Sequence, residues 1–267
     1  MIMKKIAILA ALLLTAALPA LAQGTVTDPE FDFRTRTSVA LDFKIVKGLH
    51  LSGEYQLRTE DMLSSIGSHR ASAGLNYKFP FGLKAGVEYT FIYNNRADKG
   101  WSPRHRVTGS LGYTFKAGDW RFGIKESLRW THKTEEMNLY QENPDPILLK
   151  SRFKVSYKVS KRVEPYGFVE LRNVFNDPLV NATWSTTSLR YADYSFGGYG
   201  DTYINRVRGA LGIELSFNKH NSLDIYLMED YCYDKDIDVS KDLTTLKSLT
   251  WDQSLNTILG VGYKFSF

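Results

Sequence analysis

The chain has 267 residues, a single cysteine and a formal charge of +5, with 43% hydrophobic and 24% charged residues. One cysteine excludes an intrachain disulfide, and so mild a positive balance gives no argument for nucleic acid as a partner. The length admits one large all-β unit or two small domains.

The amino terminus reads as a secretory signal. Lys4 and Lys5 precede the apolar run Ile6 to Leu18, and Ala20-Leu21-Ala22 fits the small-residue cleavage rule. Cleavage is placed after Ala22, so residues 1–22 are expected to be a signal peptide and residues 23–267 a single domain. The run is too short for a membrane helix, and no later apolar run reaches about 18 residues.

From Phe31 the pattern has a period of two. Phe33, Val39, Leu41, Phe43 and Ile45 alternate with Arg34, Arg36, Ser38, Asp42 and Lys44. Such alternation marks a strand with one oily and one polar face. Lys47-Gly48 reads as a tight turn. Leu49, Leu51, Tyr55 and Leu57 then alternate with His50, Ser52, Glu54, Gln56 and Arg58, before a loop from about Glu60 to Gly67. The strand through Leu75, Tyr77 and Phe79 turns at Pro80-Phe81-Gly82 and returns through Val87, Tyr89, Phe91 and Tyr93. A loop from Asn95 to Pro103 leads to Val107, Leu111, Tyr113 and Phe115. Beyond Gly118, Trp120, Phe122, Ile124, Leu128 and Trp130 come back, with Glu126 an exception on the oily face.

Phe153, Val155 and Tyr157 follow a Pro-containing loop. The next strand, Glu164 to Phe175, has an ambiguous phase because Phe168 and Val169 are adjacent. Asn176 to Asp201 reads as the longest irregular stretch. Val207, Leu211, Ile213 and Leu215 pair in pattern with Leu223, Ile225, Leu227, Tyr231 and Tyr233, where Glu229 is the second exception. An acidic loop leads to Leu255–Phe267, a closing strand that ends on an aromatic residue.

Short connections near Lys47, Pro80, Ala117, Lys161 and Lys219 alternate with long ones near Asp61, Lys99, Glu136, Ser188 and Asp242. Phe79, Phe115, Phe217, Phe265 and Phe267 lie at the short-turn level; Tyr93, Trp130, Tyr231 and Tyr233 lie at the other. Short turns at one end, long loops at the other and two aromatic girdles predict an antiparallel transmembrane β-barrel of about 10–12 strands in the outer membrane of a Gram-negative bacterium. The count comes to about eleven, whereas bacterial single-chain barrels are normally even. Either Gln23–Glu30 adds a strand or threads the lumen, or Asn176–Asp201 is misread, or the barrel closes in parallel.

Phe31 to Arg58, above all Leu49-His50-Leu51-Ser52-Gly53-Glu54-Tyr55-Gln56-Leu57-Arg58, together with Leu75-Asn76-Tyr77-Lys78-Phe79 and Gly262-Tyr263-Lys264-Phe265, resembles an uncharacterised family of Bacteroidota outer-membrane barrels, a domain of unknown function. The resemblance implies architecture and location, and it carries over no functional residue.

With the aromatic face toward lipid, the opposite face lines the lumen. Its expected lining includes Arg58, Arg70, Lys84, Glu88, Arg106, Arg121, Lys125, Arg129, Arg206, Arg208 and Glu214. An excess of basic residues there means either a passage favouring anions or an ion-pair network that fills a narrow barrel. Glu54, Glu88 and Glu214 are the expected partners of the cations. Any open path is expected to be narrow and weakly anion-preferring.

No catalytic residue, metal or cofactor is assigned. His69, His105 and His132 are expected at the rim, and Ser68 cannot pair with His69 because strand neighbours face opposite ways. Asp234, Asp236 and Asp238 begin like a calcium loop, but Val239 and Thr245 occupy the places of its Gly and Glu. Expected partners are outer-membrane lipid, the barrel-insertion machinery reading Phe267, and a protein or glycan at the external loops. An ester hydrolase acting on lipid is the less favoured alternative.

Overall fold

The computed structural model describes residues 25–96, 99–188, 190–240 and 245–267, and the expected signal peptide lies outside them. The described residues form strands without a helix. These are β1 (Thr25–Val26), β2 (Glu30–Val46), β3 (Leu49–Glu60), β4 (Ser65–Lys78), β5 (Leu83–Arg96), β6 (Gly100–Ala117), β7 (Trp120–Lys133), β8 (Ile147–Tyr157), β9 (Val163–Ser185), β10 (Arg190–Ser216), β11 (Asn221–Val239) and β12 (Leu246–Ser266).

Strands β2 to β12 pair in chain order as antiparallel neighbours and close into an 11-stranded barrel through β12 and β2. That last pairing is parallel, from Ser254 opposite Glu30 to Ser266 opposite Asp42. The odd count is therefore real, and the expectation of a wholly antiparallel barrel is corrected at this one seam. β1 adds no wall strand; it continues the β2 edge, with Thr25 and Val26 opposite Thr250 and Trp251. Parallel ladders are slightly weaker per residue. Here the seam is pinned at its end. Phe267 N–H donates to the Asp42 carbonyl at 2.9 Å, Lys264 Nζ lies 3.1 Å from the Asp42 carboxylate, and the Phe43 and Phe267 rings stack at 4.1 Å.

We call the end carrying Phe267 the base and the opposite end the rim. Base connections are short, and the two-residue turn at Lys47-Gly48 uses the positive φ of Gly48, 88°. The expectation of long rim loops is corrected. Apart from residues 134–146, the rim connections are also brief, and the asymmetry resides in the strands. β9 has 23 residues, β10 27, β11 19 and β12 21, and both hairpins rise past the rest of the wall. Asn176–Asp201 is thus no irregular loop. It is the upper β9–β10 hairpin, whose register shifts repeatedly between Ala192 and Arg206. Bulges break the period of two and hide a strand from pattern reading.

Facing follows the alternation. Tyr89, Tyr113 and Leu211 are exposed on the outer wall, Leu211 by 75%, so they do not share the core of a sandwich. Val169 points outward and Phe168 packs inward, which resolves the phase of β9. Glu126 and Glu229 do stand on the outer face, each with a hydroxyl across the ladder: Ser151 Oγ donates to Glu126 at 2.6 Å and Thr257 Oγ1 to Glu229 at 3.0 Å.

Inside, Ala210, Met228 and Ile258 form a buried apolar cluster against Phe168 and Tyr226. The Tyr226 ring lies over the backbone of Gly260, and a Cβ there would overlap it; a Cβ on Gly212 would meet Tyr166 and Tyr226. Large rings seated on glycines link four neighbouring strands, β9 to β12. Beyond the barrel, Val180, Ile237, Val239, Leu246 and Leu249 join the two tall hairpins in a second small core that takes Tyr140. Gly260→Val is expected to lower the midpoint of thermal unfolding in detergent, and Tyr226→Ala added to it is expected to restore part of the loss. A Gly260→Val protein with an unchanged midpoint would show that the ring is not confined there.

Candidate functional site

The lumen encloses a cavity of about 680 Å³. Fourteen lysine and arginine side chains border it against four acids, Glu54, Glu60, Glu88 and Asp224. Arg58, Arg70, Glu88, Arg106, Lys125, Arg129, Arg206 and Arg208 are among the lining residues. Lys84, Arg121 and Glu214 are not: they lie toward the base, where Arg121 pairs with Glu164 at 2.9 Å and Glu214 faces Glu164 and Asp224 across the ladders.

In one half of the lumen the cations are gathered on two acids. Glu170 on β9 holds Lys150 Nζ at 2.7 Å, Arg152 Nη2 at 2.6 Å and Arg208 Nη1 at 2.9 Å. Asp230 on β11 accepts from Arg208 Nη2 at 2.9 Å and Arg206 Nη1 at 3.3 Å, and Arg36 Nη2 stands 3.7 Å away. Arg208 therefore bridges two acids that are themselves 2% and 1% exposed. Toward the base, Tyr166 Oη donates to Asp224 at 2.8 Å and the Lys154 ammonium sits 3.7 Å over the Tyr166 ring. Pairing of this kind offsets the cost of taking charge out of water.

The other half is built differently. Arg58 on β3, Arg70 on β4, Arg106 on β6 and Arg129 on β7 make no ion pair within 4.0 Å among the described residues. The acids expected to neutralise them do not. Glu54 accepts from Gln56 at 3.4 Å and Glu88 from Thr90 at 3.3 Å, and neither reaches an arginine. Glu214 likewise makes no ion pair among the described residues. Glu170, which does the pairing, is hidden in the sequence by the ambiguous phase of β9, as is Arg172; Lys150 lies on β8 ahead of Phe153, where the alternation of that strand is first legible. Once Val169 is set outward, the period of two places 168, 170 and 172 inside.

The rim is bridged by residues 134–146, between β7 and β8. On one side Glu142 meets Arg96 at 3.0 Å, Lys133 at 3.3 Å and Lys99 at 3.3 Å, while Glu135 pairs with Arg104. On the other, Gln141 Nε2 donates to Asp238 at 3.1 Å, and the Leu139 carbonyl accepts from Tyr199 Oη at 2.7 Å. β5 and β6 stand across the ring from β10 and β11, so a segment tied to both spans the mouth. Burial alone would raise the Glu142 carboxyl, but Arg96, Lys133 and Lys99 outweigh it and hold it at about 2.

The remaining candidates are committed elsewhere. His69 and His105 take part in bonds with Tyr55 Oη at 2.6 Å and Tyr89 Oη at 2.7 Å on the outer face, and His132 lies 2.9 Å from Asp145. Ser68 is buried on the opposite face from His69. Asp234 lies 3.7 Å from both Arg172 and Arg206, and Asp238 3.4 Å from Lys247. They belong to a strand rather than a loop, and among the described residues no three such side chains converge as a metal site. Cys232 is buried and contacts Asn256 Nδ2 at 3.3 Å.

Removing the carboxylate of Glu170 leaves three cations facing one another in the packed half. Glu170→Gln is expected to destabilise the refolded barrel by about 3–5 kcal/mol in urea titration, the loss typical of a broken buried pair. Glu214→Gln is expected to change stability by no more than about 0.5 kcal/mol.

No curated protein matches the chain. A family model matches residues 33–241, which takes in the wall from β2 to β11, both central acids and all four unpaired arginines. The chain belongs to that family, described as a protein of unknown function (DUF2490).

Proposed function

We propose that the protein is an outer-membrane β-barrel whose lumen is a narrow, anion-preferring passage covered at the rim by residues 134–146. The outer face supports a lipid environment: its exposed residues are mostly aliphatic and aromatic, Glu126 and Glu229 being hydroxyl-bonded exceptions, and tyrosine and tryptophan gather toward both ends. Tyr77, Tyr113, Trp120 and Tyr157 stand toward the base, and Tyr93, Trp101 and Trp130 toward the rim. Even β8, with 11 residues, has the 9–11 that a tilted strand needs to cross the hydrocarbon. Phe267 at the base is read as the ending that insertion machinery engages. The proposal contains no catalytic step.

The observation that carries the anion preference is the surplus of cations on the lumen wall. A confined basic path excludes cations and concentrates anions. At eleven strands the bore is nearer to the eight-stranded barrels that side chains fill than to the sixteen of open porins, so a large conductance is not expected. In planar bilayers the refolded protein should give small currents whose reversal potential in a salt gradient favours chloride. Arg106→Glu with Arg129→Glu should move that potential toward cation preference. A large, cation-selective conductance of the unaltered protein would contradict the reading.

A second reading draws on the tall hairpins. Trp184 and Tyr199 are exposed on them, 51% and 38%, at a height where no lipid would cover them. Such residues fit a protein or glycan partner at the rim. Co-purification of a stoichiometric partner, lost when the β9–β10 tip is shortened, would favour it.

The Glu142 tether makes the cover pH-dependent. Because its folded pKa, about 2, lies below the ordinary 4.5, its stabilisation is fully present above about pH 4.5 and fades as the pH falls toward 2. Conductance should therefore rise between pH 4.5 and pH 2. Glu142→Gln should show the higher level already at neutral pH and lose the step.

A further inference from the structure

The unpaired arginines are distributed in a way that describes a ligand. Arg58 faces Ser68 across the β3–β4 ladder, two residues from Arg70 on the same face. Ser72 and Thr90 bond at 3.0 Å, and Thr90 faces Arg106. Arg106 faces Thr131, two residues from Arg129. Diagonal neighbours of this kind have backbones about 7–8 Å apart, so the four positions form one band across the β3–β7 wall. Three of the side chains are held at Nε. Arg58 Nε donates to Gln56 at 2.6 Å, Arg70 Nε to Ser68 at 3.2 Å and Arg106 Nε to Thr131 at 3.0 Å. Their terminal amino groups have no hydrogen-bond acceptor among the described residues, and Arg129 Nε is buried without one.

Across the lumen, Glu170 and Asp230 hold five cations within 4.0 Å, so the fold has the means to pair guanidinium groups in this lumen. On the β3–β7 wall it does not. Four like charges in one confined band repel one another, and their donor forks require planar or tetrahedral oxygen acceptors. A halide offers no such geometry, and a single carboxylate fills one fork. A tetrahedral oxyanion of higher charge meets several at once, and about 680 Å³ admits a compact one.

We propose that Arg58, Arg70, Arg106 and Arg129 form a binding site for a compact multivalent oxyanion of the phosphate or pyrophosphate class. The inference rests on the anion-preferring lumen proposed above and names what that lumen holds. The same chemistry exists on a free solute and on a phosphorylated lipid headgroup.

The full chain, refolded in detergent, is titrated calorimetrically with inorganic pyrophosphate at constant ionic strength. Parallel titrations use sulfate and micelles of a diphosphorylated lipid. Saturable pyrophosphate binding that is tighter than sulfate binding supports the site. Arg70→Gln and Arg106→Gln should each weaken it about tenfold or more, while Arg121→Gln, whose partner is Glu164, should leave it unchanged. Binding of the lipid micelles but not of pyrophosphate would assign the phosphate to a headgroup and overturn a free solute. Folding is checked separately: without ligand, Arg106→Gln should unfold at a higher temperature than the unaltered protein, because one repelling charge is gone. Anion-selective conductance without pyrophosphate binding, or unchanged affinity in both glutamine variants, would overturn the site and leave the passage standing. Pyrophosphate binding without anion selectivity would overturn the passage instead.

Discussion

A wall one residue thick must keep oil on one side and charge on the other, and this structure follows from that constraint. Strand side chains alternate, so a one-residue slip anywhere in the ladder would send arginines outward and aromatic rings inward. Register is therefore the most heavily determined quantity in the molecule. It is held by turns of few residues at the base, by rings seated on glycines at Gly212 and Gly260, and by Arg208 clasping acids from β9 and β11 at once. The parallel seam obeys the same rule. Thirteen residues of β12 match thirteen of β2 with their faces in phase, and a closure that met the pattern had no need of an even strand count.

Most of the wall could be read from alternation alone, because each outward Val, Leu or Tyr predicts its inward neighbours. Reading failed where alternation is interrupted for a physical reason. Phe168 beside Val169 hid the phase of β9, since an inward phenylalanine is favourable once Arg152 lies 4.2 Å over its ring. The upper β9–β10 hairpin was hidden by bulges. The cover was hidden altogether, because nothing local in residues 134–146 says that Glu142 meets Arg96, 46 residues away. The lumen cations could be seen as a set, but their division into paired and unpaired halves could not. That division depends on which acids reach across the bore. Glu170 and Asp230 do so, and Glu54 and Glu88, one step along neighbouring strands, bond to Gln56 and Thr90.

The two halves of the lumen then have different mechanical meanings. Around Glu170 and Asp230 five cations share two buried acids, and Met228, Ile258 and Tyr226 pack beside them; a hydrogen-bonded network of this kind holds its members in place. On the β3–β7 wall the guanidinium ends have room and no fixed partner, so their positions respond to whatever anion enters. A single barrel thus combines a packed sector with an open one, and on the proposed reading the open sector is the one that meets solutes.

The cover belongs to the same division. Its anchors on β5, β6, β7 and the β5–β6 connection are the cations Arg96, Lys99, Arg104 and Lys133, which continue the basic wall upward to the mouth. Its anchors on the far side are contacts made by uncharged residues, Gln141 to Asp238, the Leu139 carbonyl to Tyr199, and Tyr140 to the apolar cluster. Glu135 and Glu142 therefore act as carboxylates supplied by the chain itself at the top of a basic path. An anion arriving from the rim would compete with those two side chains for the same cations, and the far-side contacts would keep the displaced segment attached. Electrostatics thereby couples entry to displacement of the cover, with the apolar cluster around Val180 and Leu249 as the fixed point about which the segment is held.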